Sequence, residues 1–154
     1  MAIKYCDSPY HYKRRKTRPV VVGDPSNGGV VVGDSNPIVS QSMLTCSTLD
    51  TDASVKQSMA LVDVGCQIVR ITAQTKRYAA NLENIISGIR ALGSNVPVVA
   101  DIHFKPDAAM EAVKWCEMVR VNPGNYADSK KFALSEYTDD QYAAHLERIE
   151  AQLA

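Results

Sequence analysis

Val96-Pro97-Val98-Val99-Ala100-Asp101-Ile102-His103-Phe104 and, further on, Met118-Val119-Arg120-Val121-Asn122-Pro123-Gly124-Asn125 are the stretches that decide the fold. Each is an apolar run that ends abruptly in polar, chargeable side chains. Residues 96–104 read as a buried strand with Asp101 and His103 at its C-terminal end. Residues 118–122 read as a second strand, with Arg120, Asn122 and Asn125 at or just past its end. Residues 106–114 between them read as a helix. Pro106 suits its first turn, and Asp107 beside it favours the helix dipole. Strand, polar tip, helix, strand, polar tip is how a parallel α/β protein gathers an active site at one rim.

The same rhythm extends upstream. Residues 37–43 read as a short strand ending in Gln41-Ser42-Met43. Residues 52–64 carry Val55, Met59 and Val62 at helical spacing, and Gly65 stops that helix. Residues 67–72 are a strand. Leu82, Ile85, Ile86, Ile89 and Leu92 mark the next helix, with Gly93 as its stop. Thr138-Asp139-Asp140-Gln141 is a capping box, opening a last helix with Tyr142, Leu146, Ile149 and Leu153 on one face. Before all of this, Val20-Val21-Val22-Gly23-Asp24 is repeated as Val30-Val31-Val32-Gly33-Asp34. The intervening Pro25-Ser26-Asn27-Gly28-Gly29 makes the pair a β-hairpin. It matches neither the dinucleotide nor the Walker glycine pattern.

Strands alternating with helices predict an α/β fold with a parallel sheet and right-handed crossovers. An open doubly wound sheet is complete at this length. A TIM (β/α)8 barrel needs about 250 residues, so the chain would be roughly its first half. The last residues, Ala151-Gln152-Leu153-Ala154, hold no helix terminator, which favours the half-barrel. The expected organisation is a basic N-terminal arm over residues 1–18, then the N-terminal part of a TIM-barrel domain over residues 19–154.

Composition narrows the function. The chain has 154 residues, with 17 basic and 17 acidic side chains, so no long-range field draws it to nucleic acid or a membrane. The run Lys13-Arg14-Arg15-Lys16-Thr17-Arg18 reads as a solvated leader. Cys6, Cys46, Cys66 and Cys116 lack metal-ligand spacing, so no metal or cluster site is expected within the chain. No signal peptide and no run of about 18 apolar residues are seen. Free thiols in a reducing cytoplasm are the default expectation.

Four strand tips should converge on one rim. The first offers Gln41, Ser42 and Thr45, and the second Arg70. The third offers Asp101 and His103, and the fourth Arg120, Asn122 and Asn125. Arg70 and Arg120 lie inside apolar runs, where an unpaired charge is very costly. Either each pairs with a strand carboxylate such as Asp101, or the two form an anion clamp for a phosphorylated substrate. Asp101 and His103 are two residues apart and leave the same strand face, which suits an acid/base or hydrogen-bonding pair. Asn122-Pro123-Gly124-Asn125 is a turn by composition, placed where it could also touch substrate. His11 and His145 read as surface residues.

These motifs carry a resemblance. Gln41-Ser42-Met43, Val69-Arg70-Ile71, Val99-Ala100-Asp101-Ile102-His103-Phe104 and Val119-Arg120-Val121-Asn122-Pro123-Gly124-Asn125 stand in the order seen in the 4-hydroxy-3-methylbut-2-enyl diphosphate synthase family, also called IspG or GcpE. The chain resembles its N-terminal barrel, from about Lys13 to Ala154. Tyr126-Ala127-Asp128 and Tyr137-Thr138-Asp139 look like the larger, insertion-bearing bacterial and plastid form. The resemblance implies a TIM barrel that binds the cyclic diphosphate of methylerythritol. It also implies a separate C-terminal domain holding a [4Fe-4S] cluster on three cysteines and a glutamate. Two-electron reductive ring opening then yields hydroxymethylbutenyl diphosphate in non-mevalonate isoprenoid synthesis. Flavodoxin or ferredoxin would supply the electrons, the whole enzyme would be a homodimer, and its location would be cytoplasm or plastid stroma. Arg70 and Arg120 would grip the diphosphate with Asn122 and Asn125 near it, while Asp101 and His103 would line the same rim as catalytic candidates. Gln41 and Ser42 would add contacts from the first strand. The family's Thr/Asp-rich run after Gln-Ser-Met reads here Leu44-Thr45-Cys46-Ser47-Thr48-Leu49-Asp50. The four cysteines do not match the cluster ligands, so this chain is expected to bind no cluster and to have no reductase activity alone. Two alternatives stand beside this one: another TIM-barrel enzyme acting on a phosphorylated substrate, and a truncated, non-catalytic protein that binds anions or a partner.

Overall fold

The repeated valine runs form the expected hairpin. Val20–Val22 (β1) and Val30–Val32 (β2) pair antiparallel, with Val20 opposite Val32 and Val22 opposite Val30. A computed structural model describes residues 16–103, 105–122 and 137–153. The expected basic arm therefore lies mostly outside the described residues. Its end rests on the hairpin, where the Asp34 amide donates to Thr17 Oγ1 at 2.7 Å. The hairpin in turn covers the N-terminal end of the main sheet. Val22 is buried, Asn95 Nδ2 donates to Asn27 Oδ1 at 2.7 Å, and Gly23 lies against Pro97.

The main sheet is parallel and runs in chain order: β3 (Gln41–Met43), β4 (Ile68–Thr72), β5 (Val98–Ile102) and β6 (Met118–Val121). Thr51–Asp63 (α1) links β3 to β4. Lys76–Ala80 (α2) and Leu82–Ala91 (α3) link β4 to β5, and Pro106–Ala112 (α4) links β5 to β6. Asp139–Leu153 (α5) follows. The fold is thus an α/β arrangement of parallel β/α units preceded by a hairpin, as the rhythm of the sequence predicts.

Local chemistry explains the boundaries. Asp50 caps α1, its side chain accepting from the Ala53 amide at 3.0 Å. Gly65 and Gly93 end α1 and α3 at φ +86° and +82°, a region that side chains with a Cβ avoid. Thr138 and Gln141 exchange amide-to-side-chain bonds at 3.1 and 3.4 Å, the reciprocal cap predicted for α5. Most ends shift by one or two residues, and two differences from expectation are larger. The first strand begins at Gln41, not residue 37, and α2 is an extra turn of helix placed before the predicted one.

Strand residues alternate between two faces. Val69, Ile71, Val98, Ala100 and Ile102 are all buried against Leu82, Ile85 and Ile89 of α3 and Ala108, Ala109 and Ala112 of α4. Each fully buried branched side chain contributes on the order of 1.5–3 kcal/mol. The helix α1 surprises: its fully buried residues are Ser54 and Ser58. Ser58 Oγ donates to the Ser54 carbonyl at 2.7 Å and Ser54 Oγ to the Ser47 carbonyl at 3.3 Å, so neither hydroxyl is stranded. The opposite sheet face carries Met43, Arg70, Thr72, Val99, Asp101, Met118 and Arg120 in register, and Met43 and Met118 on it are exposed. This is the face that would look into a barrel.

Candidate anion site at the strand tips

Strand register places the site. Asp101 on β5 pairs laterally with Thr72 on β4 and with Arg120 on β6. Arg70 sits two residues before Thr72, on the same face. One carboxylate therefore stands between two arginines. Arg70 Nη2 donates to Asp101 Oδ2 at 2.7 Å, and Arg120 Nη1 donates to Oδ1 at 3.1 Å. His103 Nε2 lies 3.2 Å from Oδ2. Facing an ionised carboxylate, that ring nitrogen must carry its proton.

The carboxylate is sealed and the cations are not. The Asp101 side chain is 3% exposed, against 26% for Arg70 and 40% for Arg120. Burial alone would raise the Asp101 pKa. The Arg70 hydrogen bond and charge, then the His103 and Arg120 charges, outweigh it and hold the carboxyl below its ordinary 3.8. One carboxylate can neutralise only one of two guanidiniums, so the cluster keeps excess positive charge. Arg70 Nε is buried and has no hydrogen-bond partner among the described residues. Pairing with Asp101 holds both arginines, and part of each side chain stays exposed to solvent.

The structure brings together Arg70, Asp101, His103 and Arg120. Asn122 follows Arg120 by two residues, on the same face and level with His103. Asn125 lies outside the described residues. The first strand is different. Gln41 opens β3 and pairs with Ile68, a level below Arg70, while Ser42 pairs with Val69 and so shares the helix-packed face. Pairing continues to the Leu44 amide, which donates to the Arg70 carbonyl at 3.0 Å, so of the residues expected at this tip Thr45 lies there and Gln41 and Ser42 lie before it. Thr72 was missed in the sequence, although its spacing of two from Arg70 was signal enough.

The described residues do not suit a metal cluster. No group of three or more His, Cys, Asp or Glu could hold a metal among them. Burial, and next the Glu117 charge, push the Cys116 thiol up to about 12, the wrong direction for a thiolate ligand. Cys46 and Cys66 are free thiols, and Cys66 donates to the Ile68 carbonyl at 3.0 Å. No helix among the described residues is long and apolar enough to cross a membrane.

Comparison with known proteins identifies the family. The model of the GcpE TIM-barrel domain family matches residues 17–144. A 4-hydroxy-3-methylbut-2-en-1-yl diphosphate synthase (flavodoxin) of Akkermansia muciniphila is 58% identical over 152 residues, covering 99% of this chain and 25% of that protein. The protein of the same name from Leptospira interrogans is 52% identical, covering 97% of this chain and 22% of that protein. The one from Chlorobaculum tepidum is 46% identical, covering 96% and 19%. The chain spans about a quarter or less of the length of these relatives. With residues 17–144 matched and the sheet, strand order and polar rim in place, the chain belongs to the GcpE TIM-barrel family.

Proposed function

We propose that this chain supplies the first part of the diphosphate site of a hydroxymethylbutenyl diphosphate synthase. The observation that carries the reading is Asp101, buried between Arg70 and Arg120 with one guanidinium in excess. The proposed substrate is the cyclic diphosphate of methylerythritol. Arg70 and Arg120 bind its phosphoryl oxygens, Asp101 fixes both guanidiniums beforehand, and Asn122 and Asn125 lie alongside. Preorganised charge of this kind avoids reorganisation when the ligand arrives. His103, oriented by Asp101 through Nε2, is the acid/base candidate at the same rim.

The names of the relatives support a flavodoxin as electron donor. The redox cluster implied by the family is assigned to residues outside this chain, because the described cysteines do not suit it. The chain alone is therefore expected to show no reductase activity, and a homodimeric cytoplasmic enzyme is the proposed whole.

Isothermal titration of the protein its gene encodes with the cyclic diphosphate tests the reading. Arg70→Met and Arg120→Met should each weaken binding by about 10- to 150-fold, the value of a charge-assisted hydrogen bond. Unchanged affinity in both variants would remove the proposal.

A further inference from the structure

A concavity opens at the strand-tip rim. It lies between the loop that follows β3 and the loop that follows β4, and has a volume of about 280 Å³. Thr45, Ser47, Thr72, Gln74 and Tyr78 line it with polar groups, and no lining residue carries a formal charge. Thr72 connects it to the clamp, being the lateral neighbour of Asp101 and two residues from Arg70.

The hydrogen bonds within the loop fix what the pocket offers. Thr45 Oγ1 accepts from Gln57 Nε2 at 2.9 Å, so its own proton is left to donate. Gln57 Oε1 in turn takes the Thr45 and Cys46 amides at 3.1 and 3.2 Å, which anchors the loop on α1. Ser47 Oγ accepts from the Leu49 amide at 3.3 Å and likewise keeps its proton. Thr48 is spent otherwise, since its hydroxyl donates to the Thr72 carbonyl at 2.7 Å and ties the two loops together. Among the described residues, Thr72 Oγ1 makes only a long contact, 3.9 Å, to Met43 Sδ. Gln74 and Tyr78 make no side-chain hydrogen bond among the described residues. The result is a small cup of neutral hydroxyl and amide groups, held open by its own loop bonds.

We infer that this cup binds the uncharged, hydroxyl-bearing carbon portion of the phosphorylated ligand, while Arg70 and Arg120 hold its phosphoryl groups. The chemistry divides naturally. Phosphoryl oxygens go to guanidiniums, which match them in charge and geometry. Alcohol oxygens go to neutral donors and acceptors, which discriminate a hydroxyl strongly because their own groups are left unpaired without it. The volume lies just under the usual range for ligand pockets, which suits a short branched polyol. This inference rests on the clamp reading above and adds the ligand's second half.

The test separates the two halves with two probes. Wild-type protein, as its gene encodes it, is titrated with inorganic pyrophosphate, which has no carbon portion, and with the cyclic diphosphate of methylerythritol. Thr45→Val, Ser47→Ala and Tyr78→Phe are compared with Arg70→Met. The pocket variants are expected to weaken the cyclic diphosphate by about 2- to 12-fold each and to leave pyrophosphate unchanged. Arg70→Met is expected to weaken both. If Arg70→Met weakens both probes while all three pocket variants bind the cyclic diphosphate like wild type, the clamp stands and the cup is overturned. Equal weakening of both probes by the pocket variants also overturns it, as general damage to the rim. If Arg70→Met changes neither probe, the clamp reading fails instead. Ser47→Ala and Tyr78→Phe remove a single oxygen each, so a folded protein is available even if Thr45→Val loosens the loop.

Discussion

Asp101 carries the most weight of any single residue. It is buried, it binds Arg70 through Oδ2 and Arg120 through Oδ1, and His103 lies against Oδ2 as well. Replacing it by Asn keeps the shape and removes the charge. Both arginines are partly exposed and can turn to water, so the expected loss is moderate, about 1–3 kcal/mol in urea unfolding at neutral pH. Acid should erase the difference. The folded-state pKa lies below 3.8, so the wild-type advantage is full above that value and is lost as pH falls through the lower folded value. A gap between wild type and Asp101→Asn that persists undiminished in strong acid would contradict this. The sequence showed Asp101, His103, Arg70 and Arg120 clearly, because charge inside apolar runs is hard to mistake. It did not show that one carboxylate serves both arginines, since that depends on lateral register. Ser54 and Ser58 were invisible for another reason: small polar residues can enter a core when their hydroxyls bond the backbone.

At the scale of elements, α1 and α3 approach closely through Gly88. A Cβ there would stand 2.7 Å from Val55 Cγ2, and a β-branched side chain has little room to yield. Gly88→Ala gains helix propensity yet is expected to cost a net of about 1 kcal/mol or more through overpacking. The double variant Gly88→Ala with Val55→Ala should recover most of the clash cost, and a thermal melt of the three proteins decides it. Additive losses would mean the contact is not the cause. A second lock joins the lower end of the sheet. Glu117 accepts from Arg90 at 2.6 Å and from the Val98 amide at 2.8 Å, which sets where β5 begins. Helix stops, caps and the β/α rhythm were legible because they depend on local chemistry. The start of β3 was not, because the residues at 37–40 look extended whether or not a neighbour pairs with them.

At the scale of the molecule, the parallel sheet has β3 and β6 as its edges among the described residues, and Met43 and Met118 on those edges are exposed. Open edges recruit partners. The isolated chain is expected to run above its 16.8 kDa monomer mass in light scattering. A clean monomer would argue that the edges are masked within the chain. α5 adds to the expectation, since Tyr142 and Leu146 on its apolar face are exposed.

The central claim is that Arg70 and Arg120 together form the anion site. Nitrogen-15 spectra of the arginine side chains during a pyrophosphate titration address it most directly. The expected result is that the Arg70 and Arg120 Nε signals shift and saturate together, with one dissociation constant, and that the Asp101→Asn protein loses this shared response. Pyrophosphate binding that leaves both signals unmoved would show that the anion sits elsewhere and that the arginines serve only to hold Asp101.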